Sequence, residues 1–149
     1  MASDRTVGLL GLGELGSDAA RKLLALGFNV AGWSRRPKDL PGVKSFTDLT
    51  AMLRITDALV CLLPLTRETA GVLNARTFAL MRRDGCVINV ARGGHLVARD
   101  LIGALDNGWL AHAYLDVFEP EPLPERDPLW NHPGITITPH SAALTEPRT

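Results

Sequence analysis

The chain has 149 residues, the size of one ordinary domain and enough to bury one substantial core. With 46% apolar and 21% charged residues it reads as globular rather than disordered or fibrous. Its 16 basic and 16 acidic residues cancel, which argues against a nucleic-acid or anionic-membrane footprint, and no apolar run is long enough to span a bilayer.

In chain order, short apolar runs alternate with helix-period stretches, the pattern of a doubly wound parallel sheet with helices on both faces. The N-terminal residues lead straight into a strand and carry no basic-then-apolar signal pattern. Strands are expected at 6–10, 29–33, 43–45, 58–63, 86–90, 111–115 and 135–138, about seven in all. Helices are expected at 16–26, 48–54, 74–81 and 98–107, the first with Ala19, Ala20, Leu23, Leu24 and Leu26 on one broad face. Gly27 and Gly108 follow helical runs, where a left-handed residue ends the helix most easily. Residues 119–133 hold five prolines and read as an ordered loop over the carboxyl end of the sheet. Cys61 and Cys86 each lie in a strand run and are expected as buried free thiols; the implied compartment is reducing, hence cytoplasmic.

Between the first strand and first helix lies Gly11-Leu12-Gly13-Glu14-Leu15-Gly16, a GxGxxG loop inside one βαβ length. Gly11 permits the tight turn, Gly13 lets backbone approach a pyrophosphate, and Gly16 allows close helix–strand packing. The helix N-terminus presents unpaired N–H groups to the phosphates, with Glu14 and Leu15 in its first turn. The second strand ends in Trp33-Ser34-Arg35-Arg36, with no acid before Asp39. A carboxylate there would accept from a ribose 2′-hydroxyl, whereas Ser34 and Arg35 can donate to a 2′-phosphate. The expected cofactor is NADP, with NAD as the alternative.

Three later segments end at the same sheet edge: Val90-Ala91-Arg92, Leu115-Asp116-Val117-Phe118 running into the proline loop, and Thr138-Pro139-His140. Ketone reduction by a nicotinamide needs a cation to polarise the carbonyl and an acid to protonate the alkoxide; Arg92 and His140 suit these roles. A carboxylate beside the imidazole would orient it, and Glu121 suits that role in competition with Glu119 and Glu125. The bland readings are a solvated Arg92 and an Asp116 that merely caps backbone. His95, His112 and His132 read as structural or solvated. No metal-ligand spacing appears, so no metal is expected.

These ordered motifs resemble the cofactor domain of the D-isomer-specific 2-hydroxyacid dehydrogenases, above all the glyoxylate/hydroxypyruvate reductase branch. The likeness runs from Val7 to about Leu144 and rests on Leu63-Pro64-Leu65-Thr66 with Thr69, Asn89-Val90-Ala91-Arg92-Gly93, Leu115-Asp116-Val117-Phe118, Glu121-Pro122-Leu123-Pro124 and Thr138-Pro139-His140. It implies catalytic roles for Arg92, Glu121 and His140, and a nicotinamide-carboxamide acceptor at Asp116. Pro64 and Thr66 would lie near the cofactor ribose, and Leu63, Thr69, Val90, Ala91 and Ala142 are placed at the cofactor with them. The implied substrate is a small 2-keto or 2-hydroxy acid, and the implied assembly a homodimer.

The family builds a second, substrate-binding domain that a single 149-residue domain leaves no room for. The expectation is one dinucleotide-binding domain over residues 1–149, a shortened or fragmentary chain whose isolated turnover is weak or nil. A non-catalytic dinucleotide-binding module that senses redox state or joins a partner is the alternative of another class. A 3-hydroxyacid dehydrogenase would need a later catalytic lysine, and none follows Lys44.

Overall fold

The computed structural model describes residues 1–140. Seven strands form one sheet: β1 (Thr6–Leu10), β2 (Asn29–Trp33), β3 (Val43–Phe46), β4 (Ala58–Cys61), β5 (Gly85–Asn89), β6 (Leu110–Leu115) and β7 (Ile135–Ile137). All pairings are parallel and the order is β3-β2-β1-β4-β5-β6-β7. Four α-helices cover it: α1 (Glu14–Ala25), α2 (Leu49–Leu53), α3 (Ala75–Leu80) and α4 (Ala98–Asp106). None is long and apolar enough to cross a membrane.

Burial follows the two-residue period of the strands. On one face Val7, Leu9 and Val30 pack with Ala20 of α1. On the other, Leu10, Ala31, Leu59, Cys61 and Val87 meet Met52, Leu53, Phe78 and Leu101 from α2, α3 and α4. Helix starts are capped where the sequence supplies an acceptor: Asp48 accepts from Thr50 N at 3.0 Å, and Asn74 from Thr77 N at 3.1 Å. Gly27 and Gly108 take positive φ, as expected of residues that end α1 and α4.

Four local expectations need correction. The strand expected to reach residue 63 stops at Cys61: Leu62 N still donates to Leu10 O at 2.9 Å, but Pro64 has no N–H to carry the ladder further. Leu26 is not on the buried face of α1: it is the C-cap, beyond the last turn seated on the sheet, and is 69% exposed. Residues 119–133 are more than an overlying loop. A 3-10 turn, Pro128–Asn131, is capped by Asp127, and Leu123 and Leu129 enter the main core. Of the two free cysteines, Cys61 is buried, and desolvation pushes its thiol up to about 11. Cys86, the second residue of β5, is only partly buried.

Two glycines in helices make opposite predictions. A β-carbon on Gly16 would lie 2.0 Å from the Gly11 carbonyl oxygen, whereas one on Gly103 of α4 meets nothing within 4 Å. Gly16→Ala should therefore destabilise by about 1–3 kcal/mol through overpacking. Gly103→Ala should stabilise by about 0.5–1 kcal/mol, since alanine restricts the unfolded chain and favours helix. Urea denaturation of the two variants checks both signs; equal effects would refute the packing argument.

Candidate active site

The chain leaves β1 toward β2 on one side and continues from β4 toward β5 on the other, so neighbouring strands send their loops apart. A crevice opens at that switch point, at the carboxyl ends of the strands. Gly11 turns there at φ +104°, and Gly13 caps α1 with no side chain to satisfy the first-turn N–H groups. Those groups and the helix dipole face the crevice as a ready anion site. A β-carbon on Gly13 would meet nothing, so the loop is open on its outer side.

Two cavities adjoin along this crevice. One, of about 590 Å³, is lined by Trp33, Ser34, Arg35, Arg36, Lys38 and Thr69 among others. The other, of about 640 Å³, is lined by Glu14, Leu15, Gly16, Val90, Ala91 and Arg92 among others. They share Gly13, Leu63 and Pro64. A ligand with two halves joined by a diphosphate matches this shape, its charged centre falling at the helix terminus.

The first cavity is cationic on one wall. The Ser34 hydroxyl donates to Arg36 O at 2.6 Å, which ties the turn, while Arg35 and Arg36 are exposed. Lys38 reaches across and donates to Leu12 O of the glycine loop. Its place in the Ser-Arg-Arg-Pro-Lys run was a readable signal that the sequence argument left unused. On the opposite wall, Glu68 is held below the ordinary carboxylate value by its own backbone N–H, then by the Thr66 hydroxyl and the charge of Arg35. Thr69 lines the cavity too, but its hydroxyl donates to Pro64 O at 2.7 Å and so organises the loop rather than standing free. Trp33 donates from its indole to Thr47 O at 2.9 Å, which fixes the ring at the cavity edge.

Arg92 stands at the end of a tightly bonded turn. Asn89, fully buried, donates from its amide to Arg92 O at 3.0 Å and accepts from Ala91 N at 3.2 Å. A β-carbon on Gly93 would lie 2.1 Å from the carbonyl carbon of Phe118, so the turn is wedged against the segment after β6. The Arg92 guanidinium donates to Ala91 O at 2.6 Å, folded back toward its own backbone.

His140 and Glu121 meet as the sequence argument expected. Nδ1 of His140 lies 2.8 Å from Oε2 of Glu121. A carboxylate can only accept, so Nδ1 carries the proton and Nε2 is left as the nitrogen that exchanges one. Of the three competing glutamates, Glu121 alone makes this contact among the described residues; it also accepts from Phe118 N at 3.0 Å. His140 itself sits at φ 55°, a left-handed conformation rare for a residue with a side chain. Such strain persists only where surroundings impose it, and it recurs at functional sites. The pair borders a third cavity, of about 460 Å³, walled mostly by Phe118, Leu123, Trp130, Ile137 and Pro139.

Arg92 and the His140–Glu121 pair therefore open on separate cavities, coupled through the charge of Arg92 acting on Glu121. Asp116 is buried at the end of β6 and accepts a hydrogen bond from the Thr138 hydroxyl. It does not line these three cavities. Ala142 lies outside the described residues. The other histidines separate: His132 bonds Asp106 at 2.7 Å and His112 bonds Thr136 at 2.7 Å, while His95 is completely buried beside Arg92.

Residues 1–142 match the family model described as D-isomer specific 2-hydroxyacid dehydrogenase, NAD binding domain. The chain is 52% identical over 146 residues to the glyoxylate/hydroxypyruvate reductase A of Serratia proteamaculans, covering 96% of this chain and 47% of that one. It superposes with a TM-score of 0.92 and 48% identity on the NADPH-dependent glyoxylate/hydroxypyruvate reductase of Sinorhizobium meliloti, solved with NADP and sulfate; the match covers 96% of this chain and 48% of that one. A D-isomer specific 2-hydroxyacid dehydrogenase of Xanthobacter autotrophicus, solved with NADPH and MES, gives a TM-score of 0.90 at 47% identity, over 93% and 45% of the two chains. The chain thus spans about half the length of the relatives it matches.

The Glu121 contacts predict an acid-side pH dependence. The Phe118 N–H, then the His140 ring, hold the carboxyl below its ordinary value of 4.5. A depressed folded pKa contributes stability that is fully present above the unfolded value and is lost as pH falls through the folded one. Thermal melts taken downward from pH 6 should accordingly show a steeper acid loss in the native chain than in Glu121→Gln. Parallel curves would show that the contacts add nothing to stability.

Proposed function

This chain belongs to the D-isomer specific 2-hydroxyacid dehydrogenase family, and on that premise we propose that it is the cofactor-binding half of an NADP(H)-dependent reductase of small 2-keto acids. The observation that carries the reading is the His140–Glu121 pair placed on the same sheet edge as the glycine-loop crevice. A module that only binds a dinucleotide has no chemical need for an oriented imidazole. Substrates of the glyoxylate or hydroxypyruvate type are supported by the names of the reductases it resembles.

The residues present fit the cofactor. Gly13, Glu14, Leu15 and Gly16 would receive the diphosphate on the N-terminus of α1. Ser34 and Arg35 would hold a 2′-phosphate, with Trp33 beside the adenosine and Leu63, Pro64 and Thr69 forming the facing wall. Val90, Ala91 and Arg92 would line the nicotinamide half, with Asp116 as a carboxamide acceptor below it. When bound, the reduced nicotinamide supplies the hydride.

The remaining chemistry falls to side chains. Arg92 would turn from Ala91 O to meet the carboxylate and carbonyl of the substrate, drawing electron density toward the carbonyl oxygen. His140 would give its Nε2 proton to that oxygen, and Glu121 would keep the opposite nitrogen protonated and stabilise the charged ring. The relatives perform their reaction with chains about twice this span. We assign cofactor binding to this domain, with closure around the substrate depending on a second one.

Titration of the purified chain, followed by tryptophan fluorescence to which Trp33 at the cavity edge contributes, should give tighter binding of NADPH than of NADH. Arg35→Gln should weaken NADPH by about tenfold or more, the worth of one charge-assisted hydrogen bond, and leave NADH nearly unchanged. Tighter NADH binding by the native chain would overturn the cofactor assignment. In any preparation of the polypeptide that reduces glyoxylate or hydroxypyruvate, His140→Ala should slow the reaction by about 10²–10⁴. An unchanged rate would remove His140 from the mechanism.

A further inference from the structure

His95 is fully buried, lines none of the three site cavities, and bonds two separate walls of the crevice. Its Nδ1 lies 3.2 Å from Arg92 N and 3.1 Å from Arg92 O, and its Nε2 lies 3.3 Å from Pro64 O. Pro64 O can only accept, so Nε2 carries a proton; Arg92 O already accepts from the Asn89 amide and from His95 N, which leaves Nδ1 to serve as the acceptor for Arg92 N. Arg92 N–H can donate only to a bare Nδ1, so the proton sits on Nε2 and donates to Pro64 O. With the proton on Nδ1 instead, Arg92 N–H would lose its acceptor and two lone pairs would face each other at Pro64.

The backbone around His95 strengthens the link. Leu73 N donates to His95 O at 2.9 Å, and Gly71 N to Gly94 O at 3.0 Å. A β-carbon on Gly94 would lie 2.9 Å from both the Glu119 carboxylate and the Leu65 side chain, which pack over the turn on that side. Pro64 belongs to both cofactor cavities, and Arg92 ends the second.

We infer that His95 is a positioning residue: as the neutral Nε2–H tautomer it clamps the Arg92 backbone to the Pro64 wall, so that arginine and groove move as one body. This rests on the cofactor reading above, which gives the groove its ligand. It is a role distinct from that of His140, because His95 exchanges no proton and touches no reacting atom. Its larger consequence falls on the nicotinamide half, which holds Arg92, since the adenosine half shares only the Pro64 end of the clamp. The adenosine half is held by the 33–38 segment, with which His95 makes no hydrogen bond.

The test compares NADPH with 2′-phospho-ADP-ribose, which lacks the nicotinamide, on the 149-residue chain. His95→Phe keeps the ring and removes both side-chain bonds. It should weaken NADPH by about tenfold, the effect of one or two lost hydrogen bonds. The nicotinamide-free ligand should weaken clearly less, since it meets the shared Pro64 wall but not Arg92. Amide exchange at Arg92 should accelerate in His95→Phe and recover in His95→Asn, whose side-chain oxygen can accept from Arg92 N.

Equal weakening of both ligands, or of neither, would overturn the clamp. Long-range proton–nitrogen NMR of the native chain supplies a measurement that needs no variant to fold. An Nδ1-protonated or doubly protonated His95 near neutral pH would refute the proposal outright. A native chain that binds neither ligand would instead refute the cofactor reading, and the tautomer and the Arg92 exchange rate would then judge the clamp alone.

Discussion

A β-carbon at position 16 would stand 2.0 Å from the carbonyl oxygen of Gly11, so the first turn of α1 can lie on the end of β1 only because residue 16 carries no side chain. That contact aims the helix N-terminus into the crevice between the β1 and β4 loops. It also leaves Gly13 as a cap that offers the first-turn N–H groups no acceptor. The unsatisfied donors are thus a product of packing, and they give the crevice its preference for anions. Everything else in the site is arranged relative to that point. The cationic segment after β2 lies to one side, and the Arg92 turn after β5 lies to the other.

The two ends of the crevice are built on different principles. The 33–38 segment is an exposed strand-end loop, with Ser34 bonded to its own turn and Lys38 spanning to Leu12. Exposed cations of this kind are worth little as structural ion pairs, but they can meet a doubly charged phosphate without first losing a strong partner. The 89–95 turn is the reverse. Asn89 and His95 are completely buried, and Gly93 and Gly94 admit backbone and side-chain atoms closer than a β-carbon would allow. Buried polar groups are tolerated only when fully bonded, and both side chains are. One end is exposed and adaptable; the other is fixed by buried hydrogen bonds.

The His140–Glu121 pair adds a third arrangement. His140 adopts a left-handed backbone directly after Pro139, and Glu121 is fixed by the Phe118 N–H in a proline-broken loop. Neither residue is deeply buried, so the pair's order comes from hydrogen bonding and chain stiffness rather than from a closed pocket. The adjoining apolar cavity, with Trp130 at its edge, is the natural place for a covering element to exclude water from this pair.

Most of the architecture was legible in the residues. Short, near-continuous apolar runs marked the seven strands, the glycine loop marked the switch point, and Asp48 and Asn74 marked helix starts; the corrections fell at ends such as Leu62 and Leu26, in the 119–133 segment and at Cys86. The motif spacing also brought Glu121 and His140 to one sheet edge. The family resemblance already implied Glu121 over Glu119 and Glu125, and the tertiary structure supplied its contact with His140; only the tertiary structure showed Thr69 bonded to Pro64 and buried His95 beside Arg92. The reason is physical. Periodicity, glycine placement and charge are local properties of the chain, so the sequence by itself determined the elements and the kind of ligand they suit. Which side chain finds which partner across loops separated by 19 or 31 residues is a long-range choice, settled only when those loops pack together.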